Sequence, residues 1–275
     1  MVESAELVHA PHMDLVCDAL ERVYPKREVR ELVINIPPRH SKSLLVAVFW
    51  PAWQWLHDPT QSIIAISKSN RVAKRDNRRM RKLVRSAEFQ ALVRRKARNE
   101  AMREGRNPLE AEAAAVWGMA DDQDEKVNFE NERGGSRKCL PIGGDITGEG
   151  ADGLIIDDPH DAKDAVLGSV EQVDRRMKEV VDIYDDVLES RLNSKTEGWR
   201  VVIMQRLHEN DLAGVLLSRG VASVVLPSEY DPEHPNLCTE DWRTEEGELL
   251  NPARFPVEYL HDLKERRPRT YAAQY

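Results

Sequence analysis

Apolar and polar residues follow one another along this chain in blocks that change period. Asp14 to Val23 carries Leu15, Val16, Ala19, Leu20 and Val23 at helical spacing, and Leu32 to Ile36 is a nearly continuous apolar run. The first reads as an amphipathic helix and the second as a strand covered on both faces. Beyond Ser43, the residues Leu44, Val46, Phe49, Trp53 and Trp55 continue an apolar helix that His57-Asp58-Pro59 stops. Ser62 to Ser67 predicts a second strand, and Asn70 to Leu92 one long helix. From Arg94 to Asp124 the periodicity fades into Arg, Glu, Ala and Asp, which predicts an exposed helical excursion or a mobile insertion. Val127 to Glu130 and Lys138 to Ile142 flank Glu132-Arg133-Gly134-Gly135-Ser136 and predict a hairpin. Gly153 to Ile156, Trp199 to Met204 and Ala222 to Leu226 supply further strands, with a charged helix over Val170 to Leu192 and another capped near Asn210 or Asp211. Strands alternating with helices predict an α/β fold with a mainly parallel central sheet flanked by helices. From Pro227 onward prolines, acids and Trp242 replace the pattern, so a core over 1–226 and a small lid or linker subdomain over 227–275 are expected.

A length of 275 residues with 41% hydrophobic content allows a sizeable core. No apolar stretch reaches the ~18 residues that span a bilayer, and the N-terminus lacks a basic segment followed by an apolar run. A soluble, cytosolic protein with no membrane partner is expected. Cys17, Cys139 and Cys238 are far apart and without ligand spacing, and the eight histidines show no metal-binding pair, so neither a disulfide framework nor a transition-metal site is expected. The net charge of −8 argues against clinging to DNA by overall charge. Charge is uneven, however: Arg71 to Arg106 holds fourteen Lys or Arg against four Asp or Glu. Arg71, Lys74, Arg75, Arg78, Arg79, Lys82 and Arg85 recur at spacings of three and four and form a cationic stripe on the expected helix, with Arg71, Arg75, Arg78 and Lys82 as the candidates for contact with DNA. Such a stripe is either a solvated face or a local phosphate-contacting surface.

Two stretches carry chemistry. In ELVINIPPRHSKS, Glu31 to Ser43, a strand breaks at two prolines and reopens as a helix beginning Lys42-Ser43. A loop of this kind can cradle a nucleoside triphosphate: backbone N–H groups and the helix dipole meet phosphates, the lysine adds charge and the hydroxyl can ligate Mg²⁺. It departs from G-x-x-x-x-G-K-[ST], because Ile36 and Ser41 stand at the glycine positions and Pro37 and Pro38 donate no N–H. The alternative is a strand-to-helix turn with a surface lysine. In GGDITGEGADGLIIDDPHD, Gly143 to Asp161, an apolar strand ends in Asp157 and Asp158. A strand ending in Asp suits the Mg²⁺-holding half of such a site, and the next acid can orient the attacking water. A capped helix start at Asp158 or Asp161 is the alternative.

The order PPRHSKS, ITGEGADGLIIDDPHD, VVIMQRLHENDLAG and RTYAAQY resembles the large terminase subunit of tailed bacteriophages, the ATP-driven DNA-packaging motor. The resemblance covers nearly the whole chain. It implies a P-loop NTPase domain of the additional-strand ATPase kind, Mg²⁺-dependent ATP hydrolysis and translocation of double-stranded DNA into a procapsid in the host cytoplasm. Partners implied are the portal protein, the small terminase subunit and further copies in a homo-oligomeric ring; nuclease activity is not expected from this chain. By motif, Pro38, Arg39, His40, Ser41, Lys42, Ser43 and Leu44 would surround the nucleotide, with Arg39 as the Walker A arginine. Ser43 and Asp157 would hold Mg²⁺, Asp158 would take the catalytic-acid place and Gln205 the coupling position. A trans-acting arginine is implied, with Arg133 and Arg137 as candidates, because Glu149 occupies the place of the basic residue often found in the TGxG segment. A helicase-like remodelling ATPase, and a non-catalytic DNA- or portal-docking module with a degenerate P-loop, are the competing readings.

Overall fold

The structure, a computed structural model, describes residues 8–115, 117–124, 127–144, 148, 150–268 and 271. Eight strands form one sheet in the order β3-β4-β5-β2-β6-β7-β1-β8. These are β1 (Glu31–Asn35), β2 (Ile63–Ser67), β3 (Met119–Asp124), β4 (Asn128–Asn131), β5 (Ser136–Pro141), β6 (Gly153–Asp157), β7 (Trp199–Met204) and β8 (Ala222–Val225). From β5 to β8 every neighbouring pair is parallel, while β3 and β4 are antiparallel additions at one edge. Of the parallel strands, β1, β2, β6 and β7 are the apolar runs expected of strands buried on both faces, whereas β5 alternates as SRKCLP between β2 and β4. The architecture is therefore mixed α/β, with helices over an eight-stranded sheet. Strand β7 lies between β1 and β6, so the strand that feeds Lys42 and the strand that ends in Asp157 are not direct neighbours.

Three departures from the sequence pattern have physical reasons. The helix expected over 70–92 is two helices, α4 (Asn70–Val84) and α5 (Ala87–Arg103). Ser86 breaks it by accepting from Phe89 N at 3.2 Å as the N-cap of α5. The stretch 94–124 contains the end of α5, a short α6 (Pro108–Ala114) capped by Asn107, and β3. The polar sequence MADDQD gives β3 no apolar signature, and its pairing with β4 supplies the strand geometry. The helix after the lysine loop is not uniform. It runs as α2 (Lys42–Leu44), a π-helical turn (Leu45–Phe49) and α3 (Trp50–His57). Pro51 brings no N–H to the helical ladder, and the carbonyl of Ala47, four residues earlier, accepts instead from Arg137 Nη2 at 2.6 Å.

Helix α1 (Pro11–Val23) packs with β1, β7 and Trp50 in one apolar cluster that also includes Cys238 and Leu250. The segment after Leu226 thus shares the core of the body. Within it Arg243 is a buried hub, donating to Pro227 O at 2.8 Å and Glu248 O at 3.1 Å and pairing with Asp241 at 2.7 Å. On the opposite face, α7 (Val170–Asp182), its π-helical continuation (Ile183–Leu188) and α8 (Leu212–Ser218) cover β6 and β7. Helix α9 (Val257–Arg266) follows in the C-terminal segment.

Candidate functional site

The carboxyl ends of β1, β2, β6 and β7 open onto one cleft of about 560 Å³. Ligands of open parallel sheets bind at this edge. The loop from β1 turns into α2 through Arg39 and Ser41, whose φ angles of 66° and 61° lie in the left-handed region. The sequence provides no glycine there, so the loop holds side-chain-bearing residues in a conformation that costs on the order of 1 kcal/mol or more each. Packing from below keeps it in place. His12 Nε2 bonds His40 O at 3.1 Å, His40 Nδ1 bonds Pro38 O at 3.0 Å, and the His40 ring stacks on Phe255 at 4.7 Å. Burial, with help from neighbouring His12, lowers the His40 pKa to about 4. His40 is therefore a neutral anchor under the loop rather than a phosphate contact through its ring.

The reactive side chains meet in pairs. Ser43 Oγ donates to Asp157 Oδ1 at 2.9 Å. Lys42 Nζ donates to Gln205 Oε1 at 2.9 Å and lies 3.1 Å from Asp158 Oδ2. Gln205 N in turn donates to Asp158 Oδ1 at 3.2 Å. Asp158 has a φ of 44°, and its amide donates to Ile203 O at 2.9 Å, so the strand bends sharply just where the second carboxylate enters the cleft. Gln205 is fixed by the turn that follows it. Arg206 pairs with the buried Asp211 at 3.0 Å, and Asp211 also accepts from Leu207 N and Gly214 N as the cap of α8.

Asp157 is buried, and its Oδ2 has no hydrogen-bond partner among the described residues. Burial, reinforced by the negative charges of Asp158 and Asp76, raises its pKa to about 7. An orphaned carboxylate oxygen beside a hydroxyl is a hard-oxygen donor set that fits Mg²⁺, which takes one or two carboxylates and completes its shell with water and phosphate. No cluster of three or more His, Cys, Asp or Glu suited to a metal occurs among the described residues.

Of the sequence candidates, Pro38, Arg39, Ser41, Lys42, Ser43, Leu44, Asp158 and Gln205 line the cleft together. Leu44 also belongs to the core beneath it. Arg137 does not reach the cleft or any surface: it is 0% exposed, with Nε bonded to Asn77 Oδ1 at 2.9 Å and Nη2 to Ala47 O. A side chain held this way cannot reach into another subunit, which removes it as a trans-acting arginine. Arg133 is exposed in the β4–β5 turn, at the amino end of β5 and so at the sheet edge opposite the cleft. Arg71, Arg78 and Lys82 are exposed on α4, whereas Arg75 lines the cleft. Lys68, Arg79 and Arg254 line it too. Arg79 belongs to the cationic stripe of the sequence; Lys68 had a signal as the residue after a parallel strand, and Arg254, from a remote segment, had none. Glu149, and all of RTYAAQY except the buried Tyr271, lie outside the described residues.

The chain thus has a mixed α/β sheet with a lysine-serine loop and two strand-end carboxylates gathered at one edge. No protein-family model and no curated protein matches the sequence. Among solved structures, the HK97 bacteriophage large terminase superposes with a TM-score of 0.50 at 15% identity, over 98% of this chain and 50% of that one. This chain thus spans about half the length of that protein, and the likeness is one of fold. No described helix is long and apolar enough to cross a membrane.

Proposed function

We propose that this chain is a Mg²⁺-dependent ATPase of the large-terminase kind, whose turnover drives double-stranded DNA into a procapsid. The observation that carries the reading is the meeting of Lys42-Ser43 with Asp157-Asp158 across the intervening strand β7. The fold likeness supports the terminase assignment, and portal protein, small terminase subunit and ring neighbours are proposed as partners by the same analogy.

Ser43 Oγ and the orphaned Asp157 oxygen would hold Mg²⁺, which when bound neutralises charge on the transferring phosphoryl group. Lys42 would exchange Asp158 and Gln205 for phosphate oxygens on nucleotide entry. Asp158, released from that ion pair, would orient a water and receive its proton as the bond to ADP breaks and phosphate forms. Gln205, bonded to both Lys42 and Asp158, would register whether that exchange has occurred. Arg39, exposed at the cleft mouth, supplies further positive charge. Arg133 is proposed as the trans arginine, which requires a ring that sets the amino edge of one sheet against the carboxyl edge of the next. Arg71, Arg78 and Lys82 are proposed to touch DNA phosphates.

The test is MgATP turnover of the wild type and of Lys42→Ala, with and without DNA and portal. Loss in a folded Lys42→Ala protein is expected. Wild-type nucleotide binding without turnover under every condition would instead favour a docking module.

A further inference from the structure

After Asp157, the chain continues through Asp158 and Pro159 to His160, which lines the cleft together with Lys42, Asp158 and Gln205. His160 is only 6% exposed, and one side of its ring is committed to the backbone. The amide of Leu212, the first residue of α8, donates to Nε2 at 3.0 Å. A backbone N–H can only donate, so Nε2 carries no proton, and the proton of the neutral ring sits on Nδ1. Burial lowers the His160 pKa to about 4, aided by Lys68 and His208 and opposed by Asp211 and Asp164, which keeps the ring neutral.

The other side of the ring is uncommitted. Nδ1 has no hydrogen-bond partner among the described residues, and it is not sealed from solvent as Asp157 Oδ2 and His12 Nδ1 are. The ring cannot flip without releasing Leu212 N, so the N–H is a donor fixed in both tautomer and direction. Capping α8 needs only the Nε2 acceptor, and Asp211 already serves that helix by accepting from Gly214 N at 2.7 Å. An open N–H on a residue of the cleft wall is the part that capping leaves unexplained.

We propose that His160 is a neutral hydrogen-bond donor to the bound nucleotide, its Nδ1–H meeting a phosphate oxygen while Nε2 holds the start of α8. The proposal rests on the nucleotide-binding reading given above. A donor already oriented meets a charged oxygen with little reorganisation, and it adds no charge to a cleft that Lys42 already makes cationic. The two ring nitrogens also act on each other: donation from Nδ1–H makes Nε2 a stronger acceptor for Leu212 N. Gln205 N donates to Asp158 and Leu212 N to His160, so the segment 205–212 is tied at both ends to residues just after β6. A nucleotide that engages His160 therefore tightens the start of α8.

The experiment compares His160→Gln and His160→Asn with wild type in Tm and in affinity for N-methylanthraniloyl ATP with Mg²⁺, measured well below Tm. Gln carries its amide where Nε2 sits, so it can accept from Leu212 N but offers no donor at Nδ1. Asn carries its amide where Nδ1 sits, so it can donate into the cleft but leaves Leu212 N unpaired. His160→Gln is expected to lower affinity about tenfold with Tm within about 3 °C of wild type, and His160→Asn to lower Tm by roughly 3–8 °C with affinity within about threefold. In wild type, nitrogen-15 spectra of the imidazole are expected to show the Nδ1–H form and a shift of that nitrogen when nucleotide is added. Full affinity in His160→Gln, affinity losses that merely follow the losses of Tm in the two variants, or a neutral ring protonated on Nε2 each overturns the proposal. Weakened binding by Lys42→Ala in the same assay leaves the lysine-loop reading standing in those cases. A wild type that binds no nucleotide overturns both readings together.

Discussion

Lys42 and Arg137 are both buried cations close to the same helix, yet they are held by opposite kinds of partner. Lys42 is 5% exposed and rests between Gln205 and the carboxylate of Asp158 at the floor of an open cleft. Arg137 is bonded to an amide oxygen and to the backbone carbonyl that faces the Pro51 break, with no exposed surface. A carboxylate partner beside open space can be traded for a phosphate. A neutral carbonyl in a closed core cannot, so the guanidinium there completes a helix instead of acting on a ligand. Burial alone does not mark a functional cation; the partner and the access do.

Four measurements sharpen or break that contrast. The largest effect expected is on turnover. Lys42→Ala should lower it by roughly 10³-fold or more, and Asp158→Asn by about 10²–10³-fold with nucleotide binding retained. Parallel loss of binding in Asp158→Asn would show that the two roles were divided wrongly. Next, Arg137→Ala should lower Tm by roughly 6–15 °C, because Ala47 O and Asn77 Oδ1 lose their donor inside the core. A stable Arg137→Ala protein with impaired catalysis would reverse the comparison.

The third effect is smaller and runs against intuition. In the metal-free protein the raised pKa of Asp157 means that the native state keeps a proton which the unfolded chain has already released, from the ordinary carboxylate range up to about 7. Stability should therefore fall as pH rises through that window. Asp157→Asn should abolish Mg²⁺-dependent hydrolysis yet raise Tm at pH 8 by roughly 2–6 °C, a gain that shrinks toward pH 4. A destabilised Asp157→Asn protein at pH 8 would contradict the orphaned-carboxylate picture. The smallest effect concerns the outer face of α4: replacing Arg71, Arg78 and Lys82 with Gln should flatten the salt dependence of DNA affinity by up to about one log unit per lost contact. An unchanged slope would make that row merely solvated.

The central parallel strands β1, β2, β6 and β7 were legible because each is an apolar run that needs cover on both faces, and the two chemical stretches were legible because the edge rule fixes where strand ends must gather. What escaped shared one cause, dependence on partners remote in sequence. β3 is polar and becomes a strand only against β4. The break at Ser86 is set by a single cap. Arg137 looked like any arginine in a turn-rich region until Pro51 and Asn77 were brought beside it, and Arg254 enters the cleft from a segment with no regular pattern. The left-handed turns at Arg39 and Ser41 were invisible because the residues there are not the ones that usually adopt them.

The stack of Phe255 on His40 gives the supposed division after Leu226 a mechanical meaning. The loop's underside is tiled by a ring from the far end of the chain, so residues after 226 act as a keel for the loop as much as an appendage. A chain cut at Leu226 would lose the Phe255 ring from His40 and let the imidazole pKa rise from about 4 toward the ordinary range. Its loop, no longer braced at two left-handed residues, would become the first point of protease entry.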